Sequence, residues 1–254
     1  MLLAVDVGNT NIVFGIHDGT TWLRHWRVRT VRDKMPDEYG VLFRNFIDEV
    51  GVPMLRFDQV VVSSVVPPLT GALQEMLATQ TGHAPLVISS AVDTGLTFCV
   101  ESPLEVGADL IVDAVAAYTR FREACIVVDF GTATTFTSVS ARAEFLGVAI
   151  APGVRLAASA LAGGTAQLPQ IALQPPPSPI GTNTIHALQA GIVLGYVGLV
   201  EGMLDRIRAA LGCPAPAIAT GGLSRLIAPL TDRFALIDPW LTLEGIRLVA
   251  ERNR

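Results

Sequence analysis

The chain opens on an apolar run, Leu2-Leu3-Ala4-Val5, that meets a carboxylate at Asp6, a glycine at Gly8 and the short polar residues Asn9, Thr10 and Asn11. A second apolar run, Ile12-Val13-Phe14-Gly15-Ile16, follows at once. Short apolar runs bounded by turn residues predict buried strands, here joined by a tight polar turn. A third strand is predicted over Thr21 to Val28, beyond His17-Asp18-Gly19-Thr20, so the opening reads as an antiparallel meander. Amphipathic spacing of Tyr39, Leu42, Phe43, Phe46, Ile47 and Val50 predicts a helix entered through Met35-Pro36-Asp37. A strand over Gln59 to Ser63, a helix from Pro67-Pro68 to about Gln80 and a strand over Pro85 to Ile88 come next. Alternation of strand and helix marks an α/β layer.

The second half repeats this order. Gly107-Ala108-Asp109 leads a helix through Tyr118, and strands over Ile126 to Asp129, Thr134 to Val139 and Glu144 to Ile150 form a second meander. Pro152-Gly153 turns the chain into a helix over Val154 to Leu161. The prolines of Gln174-Pro175-Pro176-Pro177-Ser178-Pro179 predict a stiff extended connector, because they exclude helix and central strand. A long helix over Thr184 to Leu211, a strand over Ala217 to Thr220 ending in Gly221-Gly222, a short strand near Ala235 to Ile237 and a last helix over Thr242 to Arg252 complete the chain. Val5-Asp6-Val7-Gly8 matches Val128-Asp129-Phe130-Gly131, so two related half-domains, residues 1–110 and 111–254, are expected to face each other across a cleft.

Composition narrows the setting. At 254 residues, half of them hydrophobic, the chain can bury a sizeable core. No unbroken apolar run reaches the roughly 18 residues of a membrane span; the nearest, Ala187 to Leu204, is interrupted by Gln189 and Glu201. Gly191, Gly195, Gly198 and Gly202 form one stripe on that helix, expected to receive another helix or a second copy of the chain. A net charge of -5 with no basic run argues against nucleic acid as the main partner. Cys99, Cys125 and Cys213 are widely spaced, the four histidines lack metal-ligand spacing, and the first residues carry no secretory pattern, so a cytoplasmic protein is expected. Lys34 is the only lysine, which leaves phosphate handling mainly to backbone N–H groups, helix N-termini and metal ions.

The acidic turns are the candidate chemistry. Asp6 to Asn11 lies between two strands, unlike the strand-to-helix phosphate loops, and neither GxGxxG nor GxxxxGK[ST] occurs. A glycine-centred turn can still offer N–H groups to phosphate, and Asp6 can hold Mg²⁺; an ordinary hairpin turn explains the same residues. The second loop, Asp129 to Thr135, favours the functional reading, since two such loops could hold cation and phosphate from opposite sides. Gly221-Gly222 would admit a flat group close to the backbone or simply turn the chain. Asp109, opening a helix, could accept a hydroxyl proton in phosphoryl transfer or merely cap the helix.

Taken together, Asp6-Val7-Gly8-Asn9-Thr10-Asn11, Ser63-Ser64-Val65-Val66-Pro67-Pro68, Glu105-Val106-Gly107-Ala108-Asp109, Val128 to Thr135, Ala219-Thr220-Gly221-Gly222-Leu223 and Asp238-Pro239-Trp240-Leu241-Thr242-Leu243 resemble the type III pantothenate kinases along nearly the whole chain. The resemblance implies an actin-like (ribonuclease H-like) α/β fold of two duplicated halves, each with a mixed sheet flanked by helices. It also implies a homodimer, and phosphorylation of pantothenate by ATP with Mg²⁺ and a monovalent cation such as K⁺ or NH₄⁺. By matching position, Asp6, Val7, Gly8, Asn9, Thr10, Asn11, Ile12 and Val13 would form the ATP phosphate loop, and Thr132 a further ATP contact. Asp109 would be the general base, Asp129 the monovalent-cation ligand, and Gly107, Ala108 and Thr184 parts of the pantothenate site.

Three positions depart from the pattern. The arginine expected after Gly107-Ala108-Asp109 is Leu110, the aromatic residue expected seven positions before Gly107 is Val100, and Gly-Gly before the Pro152-Gly153 turn is Gly147-Val148. Loss of a charge-assisted hydrogen bond at Leu110 would cost about 1.5–3 kcal/mol of substrate binding. A non-catalytic nucleotide-binding or regulatory relative, or a kinase for a different hydroxyl substrate, is the alternative expectation.

Overall fold

In each half a central strand is hydrogen-bonded on both sides, antiparallel to the next strand in sequence and parallel to a later one. In the computed structural model, which describes residues 1–51 and 56–254, β1 (Leu2–Val7) pairs antiparallel with β2 (Asn11–His17), and β2 with β3 (Trp22–Arg29). On its other side β1 runs parallel to β4 (Gln59–Ser64), and β4 to the short β5 (Leu86–Val87). A strand absent from the sequence reading, β6 (Thr97–Phe98), lies parallel to the start of β9 (Glu144–Pro152). β9 is antiparallel to β8 (Ala133–Val139), and β8 to β7 (Cys125–Phe130); β10 (Ala217–Thr220) and β11 (Leu236–Ile237) continue parallel beyond β7. The orders β3-β2-β1-β4-β5 and β9-β8-β7-β10-β11 are the same, as the repeated Asp-x-Gly pattern led us to expect.

The chain forms two compact units. The first holds Met1–Leu96, Glu101–Ala116 and Thr242–Arg254; the second holds Thr97–Val100 and Ala117–Leu241. In the first, α1 (Pro36–Val50) and α2 (Pro67–Thr81) cover one face of the sheet. Tyr39, Phe43 and Ile47 recur every four residues along α1 and are fully buried against Phe14 and the other inward residues of β1 and β2. Each such aromatic or aliphatic side chain contributes about 1.5–3 kcal/mol by leaving water. The ends of α1 follow local rules: Glu38 Oε2 accepts the Met35 N–H at 2.8 Å, and Gly51 ends the helix in the left-handed region at φ 70°.

The opposite face of that sheet meets α3 (Ala108–Phe121) and α8 (Leu241–Arg252). Ile111 to Ala117 are all buried, and α8 approaches so closely that a Cβ on Gly245 would stand 2.0 Å from the Val112 carbonyl oxygen. At Gly15, likewise, a Cβ would meet Trp22 at 2.7 Å and Leu243 at 3.2 Å.

In the second unit, Ile126, Val128 and Phe130 of β7 and Phe136 of β8 face a core completed by α4 (Val154–Gly163), α6 (Gly195–Leu211) and α7 (Ser224–Ile227). The helix expected over Thr184 to Leu211 is continuous but irregular: α5 (Thr184–Gln189) passes through one π turn, Ala190–Leu194, into α6. By length and composition this helix could cross a membrane, although Gln189 and Glu201 interrupt its apolar run. Half of its most apolar window is buried within the protein, where Val193, Tyr196, Val197, Val200 and Leu204 join the core, as a core helix requires. Gly191, Gly195 and Gly198 lie on its exposed side, where an added Cβ meets nothing.

Gly245→Ala should destabilise the protein by about 1–3 kcal/mol in urea unfolding, because the new methyl must separate α8 from α3. An unchanged midpoint would mean that the two helices are not in backbone contact at this point.

Candidate functional site

The register between β1 and β4 sets Asp6 opposite Ser63 and Val7 opposite Ser64, at the carboxyl end of both strands. Ser63 is fully buried and its hydroxyl donates to Asp6 Oδ1 at 3.1 Å, which holds that carboxylate oxygen in place. Beyond Asp6 the chain reverses tightly, with the Gly8 N–H donating to the Asn11 carbonyl at 2.9 Å. The loop is laced from outside: the Thr30 hydroxyl donates to the Gly8 carbonyl at 2.6 Å, and the Thr30 N–H to the Thr10 carbonyl at 2.9 Å. Among the residues expected to hold ATP, Val7 and Ile12 turn their side chains into the core and can offer only backbone groups. Asn9 and Thr10 are exposed, and Val13 stands opposite Asp6 on the same sheet face.

Asp109 reaches the same end of the first unit's sheet through the segment after β4. Val65 extends the ladder by donating to the Val7 carbonyl, and a Cβ on Gly107 would lie 3.4 Å from Val65 Cγ1 and 2.6 Å from Asp109 Oδ1. The glycine therefore leaves the space that the carboxylate fills. Burial pushes the Asp109 pKa above the usual carboxylate range, while the N–H groups of Leu110, at 2.8 Å from Oδ1, and of Asp109 itself pull it down. A carboxylate with a raised pKa is a stronger base, and the first turn of α3 supplies the donors that orient it. Ala108 is buried, and Leu110 occupies the position next to the base with an apolar side chain.

In the second unit, Asp129 projects from the sheet face opposite Val128 and Phe130, in register with Thr220 of β10 and Thr135 of β8. Two glycines cradle its carboxylate. A Cβ on Gly131 would stand 3.2 Å from Oδ2, and one on Gly221, whose φ is +86°, only 2.0 Å from Oδ1. Thr132 is exposed at the tip of the β7–β8 turn, where its carbonyl accepts from the Gly153 N–H at 3.1 Å. Thr184 starts α5, capped by Asn183, whose Oδ1 accepts the His186 N–H at 2.9 Å. It borders an open cavity of about 680 Å³ lined also by Leu161, Leu168 and Gly191. The helix that Thr184 begins covers the Val128 face, so Thr184 and Asp129 are not brought together within this unit. Val100 follows β6, with the neighbouring Cys99 N–H bonded to the Phe145 carbonyl.

The donors present suit hard cations. Among the described residues no cluster of three His, Cys, Asp or Glu side chains could enclose a metal by itself. Mg²⁺ does not require such a cage, because it commonly rests on one or two carboxylates, substrate phosphates and water, and Asp6 fits that use. Beside Asp129 the Thr220 hydroxyl is fully buried with no hydrogen-bond partner, an oxygen ligand that a K⁺ ion would satisfy. Sequence reasoning passed over Ser63 and Thr220 as site residues; both lay inside quoted motifs, but only the register turns them toward Asp6 and Asp129.

Comparison with known proteins agrees. A family profile described as type III pantothenate kinase matches residues 2–206. The type III pantothenate kinase of Moorella thermoacetica is 50% identical over 253 residues, and that of Anaeromyxobacter sp. strain K 47% identical over 254; each match covers all of both chains. Among solved structures, the activator of the 2-hydroxyisocaproyl-CoA dehydratase from Clostridium difficile with bound ADPNP superposes with a TM-score of 0.59 at 13% identity, covering 99% of this chain and 94% of its own. The likeness fixes the fold as actin-like.

Gly221→Ala should lower stability by about 1–3 kcal/mol through left-handed strain alone, and should displace the Asp129 carboxylate as well. Denaturant unfolding measures the first effect; an alanine tolerated without loss would contradict the close approach at Asp129.

Proposed function

The chain belongs to the type III pantothenate kinases and phosphorylates pantothenate with ATP in coenzyme A synthesis, and we propose that Asp109 is the general base of that transfer. The observation that carries this role is the partly buried carboxylate with a raised pKa, held by the first-turn N–H groups of α3 at the same sheet end as Asp6. In the step, the pantothenate hydroxyl oxygen bonds to the γ-phosphorus, the bond from that phosphorus to the ADP oxygen breaks, and the hydroxyl proton passes to Asp109. Positioning and charge dominate such transfers, so the loop from Asp6 to Val13 and Thr132 serve to hold ATP. Mg²⁺ on Asp6 and K⁺ or NH₄⁺ on Asp129 would neutralise phosphate charge. Gly107, Ala108, Leu110, Val100 and Thr184 are assigned to pantothenate, and a cytoplasmic setting fits the three unpaired thiols.

A homodimer is part of the reading. The exposed glycine side of α6 continues into the open cavity at Thr184 and into exposed apolar side chains, with Ile180 at 78% and Ile185 at 52% exposure. Small residues on a helix let a second backbone approach closely, and a second copy of this helix offers the matching surface.

Incubation with Mg-ATP, K⁺ and pantothenate should give phosphopantothenate by mass spectrometry, and Leu110→Arg should lower the pantothenate KM about ten- to hundredfold. Absence of product from both proteins would favour the non-catalytic alternative; turnover only with another alcohol would favour a re-targeted kinase. Asp109→Asn should abolish turnover yet melt no lower than the unaltered protein. Burial disfavours the ionised side chain, so the folded state loses stability as pH rises through the span between the unfolded and the raised folded pKa, and the amide removes that penalty. Activity should rise over the same span, since only ionised Asp109 accepts the proton.

Light scattering should find a dimer of the 26.9 kDa chain. Gly195→Leu, which meets open space within the chain, should give a folded monomer; a dimer that persists would place the interface elsewhere.

A further inference from the structure

The candidate phosphate loop carries one cation that the sequence reading left out. The segment leaving β3 is pinned at two successive residues: Thr30 by its two bonds to the loop, and Val31 by the Tyr39 hydroxyl, which both accepts the Val31 N–H and donates to the Val31 carbonyl, each at 3.0 Å. Tyr39 is 1% exposed, so this anchor belongs to the core. The next residue, Arg32, donates from its guanidinium to Asn9 Oδ1 at 2.9 Å. The side chain is exposed, and no described carboxylate lies within ion-pair distance of it. The only lysine, Lys34, is engaged elsewhere, with its ammonium 5.1 Å from the centroid of the Tyr39 ring.

We infer that Arg32 is a nucleotide-binding residue that places positive charge on the ATP polyphosphate at the Asp6–Asn11 loop, and that through its bond to Asn9 it turns the Asn9 amide N–H groups toward phosphate. An asparagine whose carbonyl oxygen is held by a guanidinium turns its two amide N–H donors to the other side, and phosphate oxygens accept. A guanidinium with free N–H groups matches phosphate geometry, and it supplies the charge that other phosphate loops take from lysine. The inference rests on the kinase reading, because the anion it names is the nucleotide of that reaction.

The test is direct binding of Mg-ATP and of adenosine to the unaltered protein, Arg32→Ala and Arg32→Lys by titration calorimetry. Arg32→Ala should weaken Mg-ATP about ten- to hundredfold with adenosine affinity unchanged, and Arg32→Lys should recover part of the loss. Because Arg32 is exposed, Arg32→Ala should keep the melting temperature of the unaltered protein, which separates lost charge from lost fold. Mg-ATP binding by Arg32→Ala equal to that of the unaltered protein, or an equal loss for ATP and adenosine, overturns the role of Arg32 while leaving the kinase assignment intact. Failure of the unaltered protein to bind Mg-ATP overturns both.

Discussion

Everything at the site depends on the double ladder of the central strands. Because β1 and β7 are hydrogen-bonded on both sides, neither can shift register without turning its inward residues to the wrong face. The carboxyl end of each is therefore a fixed point, and the acidic residue placed there, Asp6 or Asp129, inherits that rigidity. The parallel neighbour then contributes a hydroxyl at the same level, Ser63 beside Asp6 and Thr220 beside Asp129. Ion and phosphate sites need positions held to fractions of an ångström, and a strand end inside a buried sheet supplies them better than a free loop.

Glycine takes up the remaining geometric demand. At Gly107 and Gly221 the missing side chain is the space a carboxylate occupies, and at Gly245 it is the space a helix backbone occupies. These close approaches let Asp109 be both partly buried and supplied with N–H donors. Burial raises its pKa and the donors hold its orientation, and the balance suits a group that must be ionised at neutral pH yet still accept a proton. Ionised Asp109 thus works against stability, the cost of the general-base role proposed for it.

The charge of the site is arranged sparingly. A lysine-poor chain with a net charge of -5 must bind a polyanion, and the β1–β2 loop by itself offers only amide dipoles and small polar side chains. The segment after β3, tied down by Thr30 and by the buried Tyr39 hydroxyl, brings Arg32 to Asn9, the contact on which its proposed role rests. Leu110 shows the opposite trend beside Asp109, where an apolar residue takes the place of the arginine that the family resemblance leads one to expect.

The sequence by itself determined the strand and helix order, the internal duplication, the two acidic turns and the family to which they belong. All of these are written in local periodicity and short motifs, which depend on neighbours in the chain. It did not disclose β6, whose two residues carry no period of their own, or the π turn before Gly195, which leaves the apolar stripe unbroken. Only the tertiary structure decided that Ser63 bonds Asp6, that Gly221 cradles Asp129, that Val7 and Ile12 face the core, and that Arg32 lies on Asn9. Each of these contacts joins residues on different segments, where register and packing fix who meets whom, and no local pattern records the partner.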